Sequence, residues 1–320
     1  MVVIALLCWI RYFLTHNSNN NERKCNMSSE KKGMIAASLA YVIFGLSYLF
    51  SKVALEIVDP ILLLSIRFTV TFLILNLLVA TRLLKLNLKG KKLGGPILLG
   101  ILQPVLYFTL ENYGLKYTTT SLTGMLSALA PIFTTMVGAL ILKEMPNRKQ
   151  WAYICVSIVG VLMVSLKPGS GENTLLGCAI LTAAYFAGAF FSILSRTLSK
   201  EFSPFELTYI MFAVGFVFFL ALAFAQNGGQ TVGLMMNALG KGEFLVSVLY
   251  LGGLSSVGAY LLANYSLAKL PVARSSIFQN LGTVVSVLAG VLVMGDSFTW
   301  VSLAAFILIL CGVWGVNATN

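Results

Sequence analysis

The sequence predicts an all-α integral membrane protein, with ten transmembrane helices arranged as two five-helix repeats of inverted topology. Three observations carry that prediction. Of the 320 residues, 58% are hydrophobic and only 10% charged, whereas a soluble domain has about 45–50% apolar and about 25% charged residues. The apolar residues fall in runs that match the roughly 20 residues needed to cross a hydrocarbon core about 30 Å thick. Polar and glycine residues inside those runs recur at fixed spacings between the two halves of the chain.

Residues 1–33 read as a cytoplasmic N-terminal segment. Within it, Val2–Leu14 is apolar apart from Arg11 but too short to span, and a polar stretch to Asn26 follows. A signal peptide needs basic residues before the apolar run and a small-residue cleavage site after it, and neither is present. The expectation is a start assigned too early, with Met27 the first residue; an interfacial helix is the alternative. The first repeat then occupies 34–167, with spans at 34–54, 61–82, 95–113, 119–142 and 150–167. The second occupies 175–317, with spans at 175–197, 204–226, 244–267, 272–294 and 299–317. The connection Gln226–Glu243, rich in Gly and Asn, reads as a surface loop.

The formal net charge of +11 raises the question of a nucleic-acid partner, but the cations cluster between spans. With a cytoplasmic N-terminus, 17 Lys and Arg lie inside and 4 outside (Lys52, Lys116, Lys167 and Lys241), with Arg67 inside a span. That bias puts both termini in the cytoplasm of a cell-membrane protein and accounts for the charge by topology, without nucleic acid. The one histidine, His16, lies outside every span. The five cysteines lack metal-site spacing, and Cys155, Cys178 and Cys311 read as small buried apolar residues. No cofactor or metal is expected. Gly240-Lys241-Gly242 lacks the upstream Gly and following Ser or Thr of a P-loop. An embedded enzyme is disfavoured because no cluster of acid, base or nucleophile falls on adjacent spans.

Sliding the chain on itself gives two registers. At an offset of 144, Gly33, Ala40, Tyr41, Ser51, Lys52 and Pro60 fall on Gly177, Ala184, Tyr185, Ser195, Arg196 and Pro204. At 152, Asn112, Tyr113, Leu115, Gly138, Glu144 and Gly160 fall on Asn264, Tyr265, Leu267, Gly290, Asp296 and Gly312. Five spans is an odd number, so the second copy enters the membrane from the opposite side. Such repeats build secondary transporters, whose halves exchange conformations around one central site; a duplicated scaffold without transport is the alternative.

These features resemble the drug/metabolite transporter superfamily, in particular its EamA-type members. The most specific piece is Ala130-Pro131 through Gly138 to Leu142-Lys143-Glu144, with Gly160 in the next span. In the second half Leu281-Gly282-Thr283 replaces the proline and Asp296 the glutamate. The resemblance implies a ten-helix carrier whose central cavity is lined mainly by helices 1, 3, 4, 6, 8 and 9.

Each polar group inside a bilayer needs an account. Ser38, Tyr41, Gly45, Tyr48 and Lys52 form one stripe of helix 1, and Thr182, Tyr185, Ala189, Ser192 and Arg196 repeat it in helix 6. Helix 3 carries Gln103, Tyr107 and Glu111 on one face, with Pro104 freeing a carbonyl. Helix 4 carries Thr123, Ser127 and Pro131, and helix 9 carries Ser276, Gln279, Asn280 and Thr283. The expected substrate-binding residues are Tyr41, Tyr48, Gln103, Tyr107, Ser127, Tyr185, Gln279 and Asn280. Arg67 and Glu111 are expected to form an outer gate or to couple transport to a proton, unless they are a structural ion pair near the surface. With a single cation well inside a span, an uncharged or zwitterionic solute fits better than a sugar phosphate or nucleotide sugar. The expected activity is export of amino acids, aromatic metabolites or amphiphilic drugs. The partners are that solute and the bilayer. Small residues in the terminal helices (Gly160, Gly312, Gly315) leave open a homodimer or packing within the chain.

Overall fold

The computed structural model describes residues 29–142, 148–165 and 172–318, and no strand occurs among them. Helices α1 (Ser29–Leu55), α2 (Pro60–Ala80), α3 (Gly94–Lys116), α4 (Thr120–Ile141) and α5 (Arg148–Ser165) make the first half. Helices α6 (Glu172–Leu198), α7 (Pro204–Asn227), α8 (Gly242–Lys269), α9 (272–292) and α10 (Trp300–Ala318) make the second. Seven helices meet the length and hydropathy of a membrane span, and three shorter apolar ones (Trp151–Met163, Gln279–Leu292, Trp300–Gly315) complete the ten. The chain is an all-α, multi-pass membrane protein. The starts of α2 and α7 are built alike. Pro60 and Pro204 sit in the first turn, where a missing N–H costs nothing, behind Asp59 and Ser203, and Ser203 completes a capping box with Glu206.

Packing follows the repeat. Gly33 at the start of α1 lies against Leu270 past the end of α8, where an added Cβ would come within 3.0 Å. Its counterpart Gly177 at the start of α6 lies against Thr118 past the end of α3, at 2.7 Å. Likewise Gly252 of α8 meets the Arg67 carbonyl of α2 at 2.9 Å, and Gly100 of α3 meets Val214 of α7 at 2.8 Å. Small residues let these backbones approach, as membrane helices require without a hydrophobic drive between them. In both pairs the start of one half's helix abuts the end of the other half's helix, as opposite orientation demands.

Helices α3 and α8 are interrupted at equivalent places, Ile101–Leu106 and Tyr250–Ala259, by π-helical turns. In α3 the cause is Pro104, with Gln103 extended at φ −152° and ψ 114°. In α8 the Gly252 carbonyl accepts from the Thr71 hydroxyl at 2.9 Å, outside its own helix. Helix α4 breaks at Ala128–Leu129 before Pro131, and α9 breaks at Phe278 although no proline is there.

Two expectations are corrected here. Within the connection read as a loop, Thr231–Leu239 is helical: Ala238 is buried with Met235 and Leu239 against Phe244 and Val248, so an apolar face overrides the Gly- and Asn-rich composition. Cys155 and Cys311 are exposed on the lateral surface and only Cys178 is buried, because apolar residues in a bilayer face lipid as readily as core. Gly160, Gly312 and Gly315 all face into the α5–α10 contact, against Ala305, Ser157 and Tyr153. The segment 1–26, with Lys143, Glu144 and Lys167, lies outside the described residues.

Candidate functional site

The halves enclose a cavity of about 110 Å³. Nine of the ten expected site residues line it: Tyr41, Tyr48, Arg67, Gln103, Tyr107, Glu111, Ser127, Tyr185 and Gln279. Asn280 does not. Asn280, turned about 100° from Gln279 on the helix, is half-buried, with its side-chain oxygen buried and without a protein partner.

The wall is aromatic with hydroxyls. Gln279 Nε2 donates to Tyr41 Oη at 3.1 Å, joining α9 to α1. Tyr185 Oη donates to the Thr123 carbonyl at 3.0 Å, joining α6 to α4. The Gln103 amide bonds to the Tyr260 hydroxyl across the α3–α8 contact, its side chain aimed by the extended backbone before Pro104. Phe44 packs edge-on to Tyr260 with centroids 4.9 Å apart. Several small hydroxyls satisfy themselves instead: Ser38 and Thr182 bond to the carbonyls four residues back and do not reach the cavity, while Ser192 does so and still lines it.

Arg67 and Glu111 correct the expected surface ion pair. They are 1% and 6% exposed and face the cavity, and no nitrogen–oxygen approach within 4.0 Å joins them. Arg67 reaches across to α8, donating from Nε to Ser256 Oγ at 3.0 Å and from Nη2 to Ser255 Oγ at 3.4 Å. Its guanidinium lies 4.2 Å over the Phe108 ring. Ser47 and Ser255 hydroxyls bond at 2.8 Å, tying α1 into the same cluster. Tyr107 and Glu111 stand about one helical turn apart on α3, and both line the cavity.

Ser255 and Tyr260 were missed from sequence, and only Ser255 had a signal. At the 152 offset it falls on Gln103, an expected site residue, whereas Tyr260 falls on Phe108, an apolar position.

The stripe cations are not in the cavity. Lys52 Nζ donates to the Leu115 carbonyl at 3.0 Å and to that of Thr118, holding the end of α3. Arg196 donates to the Leu267 carbonyl at 2.8 Å, holding the end of α8. These are repeat-equivalent clasps at opposite ends of the molecule, since Gly95 at the start of α3 lies beside Leu198 past Arg196.

The two ends differ elsewhere. At the Lys52 end α4 and α9 cross tightly: Asp296 Oδ2 accepts from the Ser121 backbone N–H at 2.7 Å, and Gly290 and Gly124 leave no room for a side chain against Ser121 and Ser286. At the Arg196 end, among the described residues, an added Cβ on Gly138, equivalent to Gly290, would meet Ile193 Cδ1 at 4.0 Å. Conversely, Asn264 at the Arg196 end accepts from Ser195 at 2.7 Å and donates to Thr208 at 2.9 Å. Its counterpart Asn112 is equally buried but leaves its side-chain oxygen without a partner.

Comparison with known proteins agrees with this architecture. The model of the EamA-like transporter family matches twice, over residues 31–166 and 175–318. The uncharacterized transporter YcxC of Bacillus subtilis is 33% identical over 286 residues, covering 88% of this chain and 92% of its own. A probable amino-acid metabolite efflux pump of Salmonella typhimurium is 26% identical over 290 residues, covering 89% and 94%. A solved crystal structure aligns with a TM-score of 0.60 at 15% identity over 89% of this chain and 96% of that one, a likeness of fold.

Proposed function

The chain belongs to the EamA-like transporter family, and from that premise we propose that it exports small organic solutes by alternating access around the central cavity. It is a transporter rather than an enzyme, embedded in the bilayer and acting on a small molecule. The observation that carries the mechanism is the mismatch between equivalent contacts. The Ser195–Asn264 bond at the Arg196 end has no counterpart between Ser51 and Asn112 at the Lys52 end, and it is the Lys52 end that α4 and α9 close, with Gly290 against Ser121. Because the halves share a sequence pattern, each has both arrangements available, and exchanging them moves the opening from one end to the other. The Lys and Arg bias makes the Arg196 end cytoplasmic, so this conformation takes up solute from inside the cell, and the protein sits in the plasma membrane with both termini cytoplasmic.

The aromatic wall supports an amino-acid, aromatic or amphiphilic solute. A phosphate-bearing solute fits poorly, because the cavity holds one guanidinium and also the Glu111 carboxylate. The relative named as an amino-acid metabolite efflux pump points the same way. The reading is tested by counterflow in proteoliposomes loaded with a mixed metabolite pool, followed by mass spectrometry with and without a pH gradient. Selective, saturable exchange of one class of solute is expected. No movement of any solute under either condition contradicts the reading.

A further inference from the structure

Arg67 and Glu111 need an explanation that the fold does not supply. The fold does without them in its second half, where Met211 and Ala263 stand at the equivalent positions. Nor do they neutralise each other by contact, since no ion pair joins them among the described residues. A buried charge held apart from its natural partner is costly, and here two opposite charges border one cavity in that condition.

The surroundings of Arg67 fix the guanidinium rather than cancel it. Ser256 takes Nε and Ser255 takes Nη2, while the Phe108 ring centroid lies 4.2 Å from the guanidinium carbon. These contacts use two of five N–H donors and set the fork's orientation. A fixed guanidinium fork matches a carboxylate bidentately. Glu111 lies one helical turn beyond Phe108 on α3, so the carboxylate and the guanidinium share one region of the cavity. Tyr48, Tyr107, Tyr185 and Tyr260 surround them with rings and hydroxyls.

We propose that the cavity reads a zwitterion, Arg67 receiving the solute's carboxylate and Glu111 its ammonium group, while the aromatic wall takes the apolar remainder. This rests on the carrier reading and assigns its substrate chemistry to two residues. Binding then completes two interrupted charge contacts at once, and a solute with only one of the two groups leaves a buried charge unmatched.

The test is counterflow with L-phenylalanine, its decarboxylated analogue phenethylamine and its deaminated analogue 3-phenylpropionate, with L-leucine and its two analogues as a second set. Stabilisation of the detergent-solubilised protein against heat by the same probes reads binding independently of transport. The wild type is expected to favour the zwitterion at least tenfold over either analogue. Arg67→Gln is expected to lose the preference for zwitterion over amine, and Glu111→Gln the preference for zwitterion over acid. Ser256→Ala keeps the charge but loosens the fork, and is expected to raise KM for the zwitterion with kcat nearly unchanged. It also guards against misfolding of the charge variants. Equal handling of all three probes by the wild type, or variants that weaken all probes in proportion, overturns the assignment. Selective exchange of some uncharged solute from the mixed pool, with no response to these probes, overturns it while leaving the carrier reading intact. No exchange at all, with no stabilisation by any probe, overturns both.

Discussion

At the Arg196 end Asn264 is engaged on both sides of its amide, while at the Lys52 end Asn112, equally buried, leaves its oxygen without a partner. The serines that could serve them are also equivalent, Ser195 and Ser51. The same Ser and Asn pair therefore makes a bond in one half and not in the other, while Thr208, the second partner of Asn264, has Leu64 at its equivalent position. The charges teach the opposite lesson. Arg67 and Glu111 face Met211 and Ala263 across the repeat, so the asymmetry there is written in the sequence and survives any exchange of conformations.

The strongest way to break the comparison is to make the halves alike. Arg67→Met copies the second half into the first. With Glu111→Ala beside it both opposite charges are gone, and replacing buried opposite charges together by apolar side chains is often neutral or stabilising by about 1–4 kcal/mol, so this double variant should melt at or above the wild-type temperature in detergent. Its exchange of the preferred solute should nevertheless fall by roughly 100-fold, as when a buried charge partner is removed from a binding site. A variant that melts lower and transports normally would make Arg67 structural.

A second pair of substitutions separates the ends. Gly290→Ala places a methyl group against Ser121 and Asp296, whereas the nearest described atom to a Gly138→Ala methyl is Ile193 Cδ1, at an ordinary contact distance of 4.0 Å. Overpacking costs roughly 1–3 kcal/mol, so the first should shift the population toward opening at the Lys52 end and the second should leave this conformation unchanged. Distances between spin labels at the two ends would register the shift, and equal responses to both substitutions would remove the distinction.

Smaller effects sharpen the asparagine comparison. Asn264→Ala strands the Ser195 hydroxyl and should cost about 1–3 kcal/mol, while Asn112→Ala removes an oxygen already without a partner and should cost less. Thermal unfolding of the two purified variants orders them. Smallest is Asp296→Asn, which weakens the acceptor for the Ser121 N–H in the first turn of α4. A loss of about 0.5–1 kcal/mol from the closed Lys52 end is expected, read as increased labelling of a thiol placed there.

Much of the site was legible because membrane helices make polar residues conspicuous. Gln103, Tyr107 and Glu111 stand out in an apolar run, and their common spacing put them on one face. The register between halves held information that went unread: Ser255 falls on Gln103, whereas Tyr260 falls on Phe108, an apolar position that nothing in the sequence marks as part of a site. Other features depend on which conformation is occupied. Nothing in the residues at 112 and 264 says that one amide is bonded and the other is not. The surface ion pair failed for a different reason, since the depth of Arg67 is set by its reach to Ser255 and Ser256 across the repeat, a contact between distant spans. The helix Thr231–Leu239 was hidden by Gly and Asn, because its packing onto Phe244 and Val248 comes from tertiary structure.

Alternating access requires that equivalent contacts at the two ends exchange. It is tested most directly by thiol labelling in sealed vesicles, with Ser121→Cys and Gly138→Cys each placed in a background freed of the native cysteines. The account predicts that without solute Gly138→Cys reacts with an impermeant reagent from the cytoplasmic face while Ser121→Cys is protected. An imposed solute gradient should raise labelling at Ser121→Cys from the other face and lower it at Gly138→Cys. Labelling of both positions at once, or labelling at neither responding to any transported solute, would contradict alternating access.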